Sequence, residues 1–417
     1  MAGFSFIHAA DLHLGSPMGA LAKYEGCPEE QIRGAVDKAL RNLVELAIRE
    51  EVAFVILAGD IFDRQPKSAQ AGLFFNVEMR RLKEAGIRVF AIAGNHDAES
   101  STWSNVPKPV IELLPTDKAG TIELEAGGQS VAIHGHSFPG NKVTKNLAKD
   151  YPEAVEGSFN IGILHTSLDN PESVHKAYAP CCLEDLLEKD YNYWALGHIH
   201  IPQVLHENPH ILYSGNLQGR SIRELGPRGC SLVKVGPQRV IEACELKELD
   251  VVRWFRREVD LGEVLDMEGV QDALSQAFEV TLESANGRVP VVRLELVGET
   301  SLSTELQTQA EDLYIDWVDL ANEKGIWLEK VKVLTTLPED QSSPKLGENY
   351  TDLVQSLHNQ EELDAEEFLK TPRIKKLISS VPKALKSRLR QELTSDLSAT
   401  SEQAKVELES QLLHHGN

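Results

Sequence analysis

Short apolar runs rich in β-branched residues alternate with longer amphipathic stretches through the first half of the chain, the pattern of an α/β fold. Strands are expected at residues 4–9, 53–57, 88–93, 130–134, 159–164, 193–196, 210–213 and 230–235. Between the first two, residues 29–51 carry Ile32, Val36, Leu40, Leu43 and Ala47 at spacings of four, four, three and four, one face of a helix. A second helix is expected at about 68–85, closed by Gly86 just past its end. Beyond about residue 250 the pattern changes to strands at 254–259, 289–296 and 327–334 with helices at 263–278 and 303–322, a small β-α-β-α-β unit.

Residues 336–350 are rich in Pro, Ser and acids and read as a linker. Residues 361–367 then hold five carboxylates, and residues 371–390 hold seven Lys/Arg and no acid. In the latter, Ile374, Leu377, Ile378, Val381 and Leu385 recur at helical spacing. A basic amphipathic helix of this kind suits a partner helix, a membrane surface or DNA. The sequence contains no internal repeat.

At about 150 residues per domain, 417 residues leave room for two or three domains. With 41% apolar and 25% charged residues, wholesale disorder and fibrous repeats are excluded. The 42 Lys/Arg against 64 Asp/Glu give a net charge of −22, which argues against a surface that holds nucleic acid or anionic lipid by bulk attraction. That acidity is uneven: residues 1–235 carry −7 and residues 236–417 carry −15. Cys27, Cys181, Cys182, Cys230 and Cys244 form no CxxC pair and are odd in number, against a disulfide framework or a thiolate zinc site. A reducing cytosol fits best. No 18-residue apolar run occurs and the start lacks the basic, then apolar, pattern of a signal peptide, so a cytoplasmic protein without a membrane span is expected.

Histidine is concentrated where chemistry would be sought, eleven of fourteen lying in residues 1–210. Five short motifs follow successive expected strands: Asp11-Leu12-His13, Gly59-Asp60-Ile61-Phe62-Asp63-Arg64, Gly94-Asn95-His96-Asp97, His165, and Gly197-His198-Ile199-His200. The C-terminal ends of strands are where open α/β sheets bind ligands. Seven donors, Asp11, His13, Asp60, Asn95, His165, His198 and His200, are oxygen or imidazole groups suited to Mn, Fe, Zn or Mg. Seven exceed the need of one ion, whereas two ions sharing Asp60 would use them all. Such a pair suits phosphate ester hydrolysis. His96, the extra histidine beside a ligand, is placed to protonate or stabilise the leaving oxygen, with Asp63 orienting its imidazole. Glycines before the ligands allow tight turns.

Weaker expectations attach to other residues. His8 reads as a core histidine, and His134 and His136 as strand-end residues facing the same region, with packing favoured for both. Ser214, Gly215 and Asn216 read either as ordinary turn residues or, as a family resemblance set out below implies, as a turn under the site; Arg220 or Arg223 is expected either on substrate phosphate or in a surface ion pair. Trp103 and the Cys181–Cys182 pair are expected to pack.

The series DLH, GDIFDR, GNHD, His165 and GHIH resembles the calcineurin-like metallophosphoesterase superfamily. HAADLHLGSP, GDIFDRQPKS and YSGNLQGRSIRE narrow the resemblance to its SbcD/YhaO branch of DNA repair exonucleases. The likeness is strong over residues 4–235 and looser beyond. It implies a four-layer αββα sandwich over residues 1–245, an α/β capping domain over 250–335, and a helical C-terminal region, 351–417, that docks a partner. It implies one metal on Asp11, His13, Asp60 and His200, and another on Asp60, Asn95, His165 and His198, with His96 and Asp63 acting as an acid pair. No ligand position is missing. Two divalent ions, Mn2+ foremost, DNA as substrate, a homodimer and an SMC-like coiled-coil ATPase subunit of the SbcC/YhaN type are the expected cofactors and partners. A small-phosphoester hydrolase of the same superfamily and a non-catalytic scaffold of an ATPase complex are the alternatives. The chain has no GxxxxGK[ST] phosphate loop of its own.

Overall fold

The fold was analysed in a computed structural model, which describes residues 2–16, 34–63, 70–99, 110–140, 142–168 and 178–338. Two six-stranded sheets lie face to face. The first has the order β12-β11-β1-β2-β3-β4, from β1 (Phe4–Ala9), β2 (Phe54–Ala58), β3 (Arg88–Ile92), β4 (Glu112–Leu113), β11 (Gly229–Val235) and β12 (Ile241–Glu248). The second has the order β5-β6-β7-β8-β10-β9, from β5 (Gly120–Ala126), β6 (Gln129–Gly135), β7 (Phe159–His165), β8 (Tyr193–Gly197), β9 (Gln203–Glu207) and β10 (His210–Tyr213). Strands β1 to β4 are mutually parallel, as are β6, β7, β8 and β10, so each sheet sends several strand ends the same way.

Strand periodicity explains the layers. In β1, Phe4 and Phe6 face the second sheet while Ile7 and Ala9 face outward, because successive side chains alternate. Phe6 stacks on Phe54 at 5.1 Å and meets Tyr193 edge-on at 5.2 Å, filling the space between sheets. Full burial of each such side chain is worth about 1.5–3 kcal/mol. The outward face of the first sheet is covered by helices α1 (Ala35–Arg49), through Leu40, Leu43, Val44 and Ala47, and α2 (Gln70–Glu84), through Phe75, Met79 and Leu82. A short helix, α3 (Asn95–Glu99), follows β3. The outward face of the second sheet packs Trp194, Leu164 and Tyr191 against a 3-10 turn at Ala148–Asp150 and helix α4 (Leu183–Leu187). The result is the expected αββα sandwich.

A third, all-parallel sheet orders β13 (Val252–Asp260), β14 (Val289–Val297) and β15 (Trp327–Val333). Helices α5 (Met267–Ala285), α6 (Ser303–Thr308) and α7 (Ala310–Glu323) cover one face through Phe278, Leu306 and Trp317. On its other face Trp254, Val291 and Trp327 join the apolar cluster beneath α1.

Several expectations change. The helix expected at 303–322 is broken at Gln309, where Thr308 turns its hydroxyl back onto the carbonyls of Thr304 and Glu305. The helix expected at 263–278 starts later, at the Asp266 cap that accepts from Gly269 N–H, and runs on to Ala285. Strands β4, β5, β9 and β12 escape the pattern reading: all four are sheet edges, β4 is only two residues long, and β5, β9 and β12 carry exposed polar residues. Among the described residues no helix is long and apolar enough to cross a membrane. Cys27, Arg64, Trp103, residues 339–350 of the linker and the helices expected over 351–417 lie outside the described residues.

Candidate metal centre

Five strand ends meet at one edge of the sandwich. The chain leaving β1 reaches Asp11 and His13 by running beside the chain leaving β2: Asp11 N–H donates to Gly59 O, His13 N–H to Asp60 O and Leu14 N–H to Ile61 O, at 2.9–3.0 Å. Asn95 and His96 open α3, His165 ends β7, and His198 and His200 follow β8. Asp11, His13, Asp60 and His198 all have positive φ, between 49° and 99°. L-residues resist that conformation, and such strain persists only where the surrounding structure enforces it, most often at functional sites. Two glycines supply the room. A Cβ on Gly197 would stand 1.9 Å from Ala58 O, and one on Gly94 would stand 2.3 Å from Asp60 Oδ1.

The donor atoms converge in three overlapping groups: Asp11, His13 and His200; His13, Asp60 and His96; and Asp11, Asp60 and His165, each within 4.8 Å of one another. His13 Nε2 and His200 Nε2 are 3.1 Å apart, and His165 Nε2 is 3.1 Å from Asn95 Oδ1 and 3.5 Å from Asp60 Oδ2. Two imidazole lone pairs at that distance repel unless a proton or a cation lies between them. Asp11, His13, Asp60, Asn95 and His165 are buried, whereas His200 keeps 27% of its side chain exposed and His96 23%, so the site opens on their side. His198 stands next to this group, its ring 5.3 Å from that of His165 and its backbone N–H donating to Asp11 Oδ2 at 3.0 Å. Oxygen and imidazole donors without thiolate, shared through Asp11 and Asp60, fit a pair of divalent cations.

Partners on the far ring nitrogens fix the orientation of the imidazoles. His165 Nδ1 donates to Ala58 O at 3.0 Å, His200 Nδ1 to Glu224 Oε1 at 2.7 Å and His96 Nδ1 to Asp63 Oδ1 at 2.9 Å, leaving each Nε2 for the site. Burial opposes charge on Asp60, but His165, His13 and His96 hold its carboxyl well below the usual range. Burial likewise works against a charged His165, yet Asp60 and Asp11 lift it to about 9. Burial and the Arg220 guanidinium push His13 well down.

A family model of calcineurin-like phosphoesterases matches residues 4–202, and one for the middle domain of metallophosphoesterase YhaO matches residues 254–336. A Bacillus subtilis (strain 168) protein, described as uncharacterized metallophosphoesterase YhaO, is 35% identical over 302 residues, covering 70% of this chain and 72% of that protein. The chain belongs to the YhaO family of calcineurin-like metallophosphoesterases. The DNA double-strand break repair protein Mre11 of Methanopyrus kandleri is 27% identical over 227 residues, 48% of this chain and 46% of its own. Mre11 of Sulfolobus acidocaldarius is 23% identical over 389 residues, 87% of this chain and 97% of its own.

A YhaO-type chain is a hydrolase that uses divalent metal, and the residues around the candidate ligands acquire meaning in that light. Asp97, within the GNHD motif, accepts from Gly94, Ile61 and Phe62 N–H at 2.8–3.1 Å and so ties the β2 and β3 ends together. Burial and Asp60 raise it to about 7. Sequence reading gave neither Asp97 nor Glu224 a role, although both lie inside motifs already singled out. Asn216 Nδ2 donates to Glu224 Oε2 at 3.0 Å, and Glu224 in turn stands behind His200. Arg220 reaches it too, with Nη2 3.3 Å from both His200 Nδ1 and Glu224 Oε1, whereas Arg223 is exposed on the same segment. His134 does not face the site: it bonds Thr121 and Asn160 and stacks on Tyr191 at 4.4 Å. His136 bonds Thr116 O, His8 bonds Tyr193 and Leu196 O, and Cys182 donates to Asp185.

Proposed function

We propose that this chain is a two-metal phosphodiesterase that cleaves the DNA backbone as part of DNA repair. The observation that carries the reading is the convergence of Asp11, His13, Asp60, Asn95, His165 and His200 on one site, with the His96–Asp63 pair at its exposed side. One ion would be held by Asp11, His13, Asp60 and His200, the other by Asp60, Asn95, His165 and His198, with Mn2+ the preferred metal. Bound there, the pair would polarise the phosphoryl oxygens and lower the pKa of a water.

The chain's own groups do the rest. The bond to Asp63 puts the proton of the free imidazole on His96 Nδ1, so a protonated His96 carries its second proton on Nε2, pointing into the site. That proton is delivered to the leaving ester oxygen. Arg220, fixed by Glu224, supplies a cation for a non-bridging phosphate oxygen. Arg223 is a second, more exposed phosphate contact on the same segment.

The DNA substrate is supported by the Mre11 relatives, described as DNA double-strand break repair proteins. From the motif resemblance to the SbcD/YhaO branch we further propose a cytoplasmic homodimer with an SMC-like coiled-coil ATPase subunit of the SbcC/YhaN type, docked through residues 351–417, and a 250–335 region that caps the nuclease face. Purified chain with Mn2+, assayed on duplex DNA, single-stranded DNA and bis(p-nitrophenyl) phosphate, tests the substrate class. Cleavage of a DNA form is expected. Brisk turnover of the small diester with every DNA form intact would overturn the nuclease reading.

A further inference from the structure

The segment between β10 and β11 contains no strand or helix, yet Ser214, Asn216, Leu217, Gln218, Glu224 and Arg228 in it are buried. Its hydrogen bonds point two ways. Toward the metal centre, Glu224 Oε1 accepts from His200 Nδ1 at 2.7 Å, while Glu224 Oε2 accepts from Arg220 N–H at 2.7 Å and Asn216 Nδ2 at 3.0 Å. The Arg228 guanidinium donates to His200 O and to Leu225 O.

Toward the third sheet, the Gln218 amide takes the place of a neighbouring strand. Its Nε2 donates to Val252 O at 2.6 Å and its Oε1 accepts from Val251 N–H at 2.9 Å, on the edge of β13 that no strand pairs among the described residues. Trp254 Nε1 donates to Gly219 O at 3.0 Å, and Gly226 N–H to Trp254 O at 3.1 Å. His200 needs such support, since it is the more exposed partner of buried His13 and follows β8 on irregular chain beyond His198.

We propose that residues 214–228 are a strut through which the middle domain sets the orientation of His200 and Arg220, with Gln218 and Glu224 as positioning residues at its two ends. Displacing the middle domain would thereby alter one metal site and not the other. The inference rests on the two-metal reading and adds an element the ligand set does not contain.

Calorimetric titration of the full-length, metal-free chain with Mn2+ tests it. Wild type takes up two ions; uptake of fewer would count against the two-metal reading itself. Glu224→Gln and Gln218→Met should each weaken one ion by about 10- to 100-fold, the range seen when outer-shell partners of metal ligands are lost, and leave the other unchanged. Because both act through His200, the double variant should lose little beyond the worse single variant. Trp254→Phe, which deletes only the Nε1 donor, gives the same one-ion effect in smaller measure should Gln218→Met not fold. Additive losses, equal weakening of both ions, or unchanged binding in either single variant would overturn the strut.

Discussion

The histidines divide by what their second ring nitrogen meets. His165, His200 and His96 each spend Nδ1 on an acceptor, Ala58 O, Glu224 or Asp63, and keep Nε2 toward the site. His8 and His134 spend both nitrogens inside the core. On this basis His96→Leu should reduce phosphodiester hydrolysis by at least about 100-fold, the low end for general acid catalysis, while two Mn2+ still bind. Loss of an ion from that variant, seen by metal analysis after dialysis, would make His96 a ligand. His8 gives a pH prediction with a definite sign. Burial pushes its imidazole from 6.5 down to about 3, so the unfolded chain takes up a proton that the folded chain refuses. Its contribution is absent above pH 6.5, and below that stability falls by about 1.4 kcal/mol per pH unit until about pH 3. Urea midpoints of His8→Gln should therefore decline less steeply than wild type between pH 6.5 and 5; parallel slopes would refute the assignment.

Among the elements, the strand ends rather than the strands create the site. β2 is buried along its whole length and reads as an apolar run, but its useful residue is Asp60, two positions past the last paired residue. There the chain turns at positive φ in Gly59 and Asp60, and Gly197 lets β8 approach the carbonyl of Ala58. Gly197→Ala places a methyl against that carbonyl and should destabilise by about 1–3 kcal/mol or more, read as a lower urea midpoint together with weakened metal binding. Gly140→Ala, whose Cβ meets nothing within 4 Å, serves as the control and should leave metal binding unchanged. Short apolar runs located β1, β2, β3, β7 and β8 to within a residue or so, because strands buried on both faces of a sandwich must be apolar throughout. The polar strands β9 and β12 obey no such constraint and stayed hidden.

For the whole molecule, a net charge of −22 limits what DNA affinity can come from the surface. Removal of metal should expose that limit: in EDTA at physiological salt, the chain alone should bind duplex DNA no better than micromolar, in the range of non-specific binding. Nanomolar binding under those conditions would contradict it. By itself the sequence determined the αββα class and the third α/β unit, and it named the Asp, Asn and His motifs that the fold brings to one edge, with His96 beside Asp63, because short motifs carry their residue types intact. The tertiary structure alone decided which histidines point inward, that His134 packs away from the site while Arg220 approaches it, and that Glu224 stands behind His200. These facts depend on contacts between residues far apart in the chain: 24 positions separate Glu224 from His200, and 185 separate His8 from Tyr193. Local periodicity contains no information at that range, and only the packing of the two sheets supplies it.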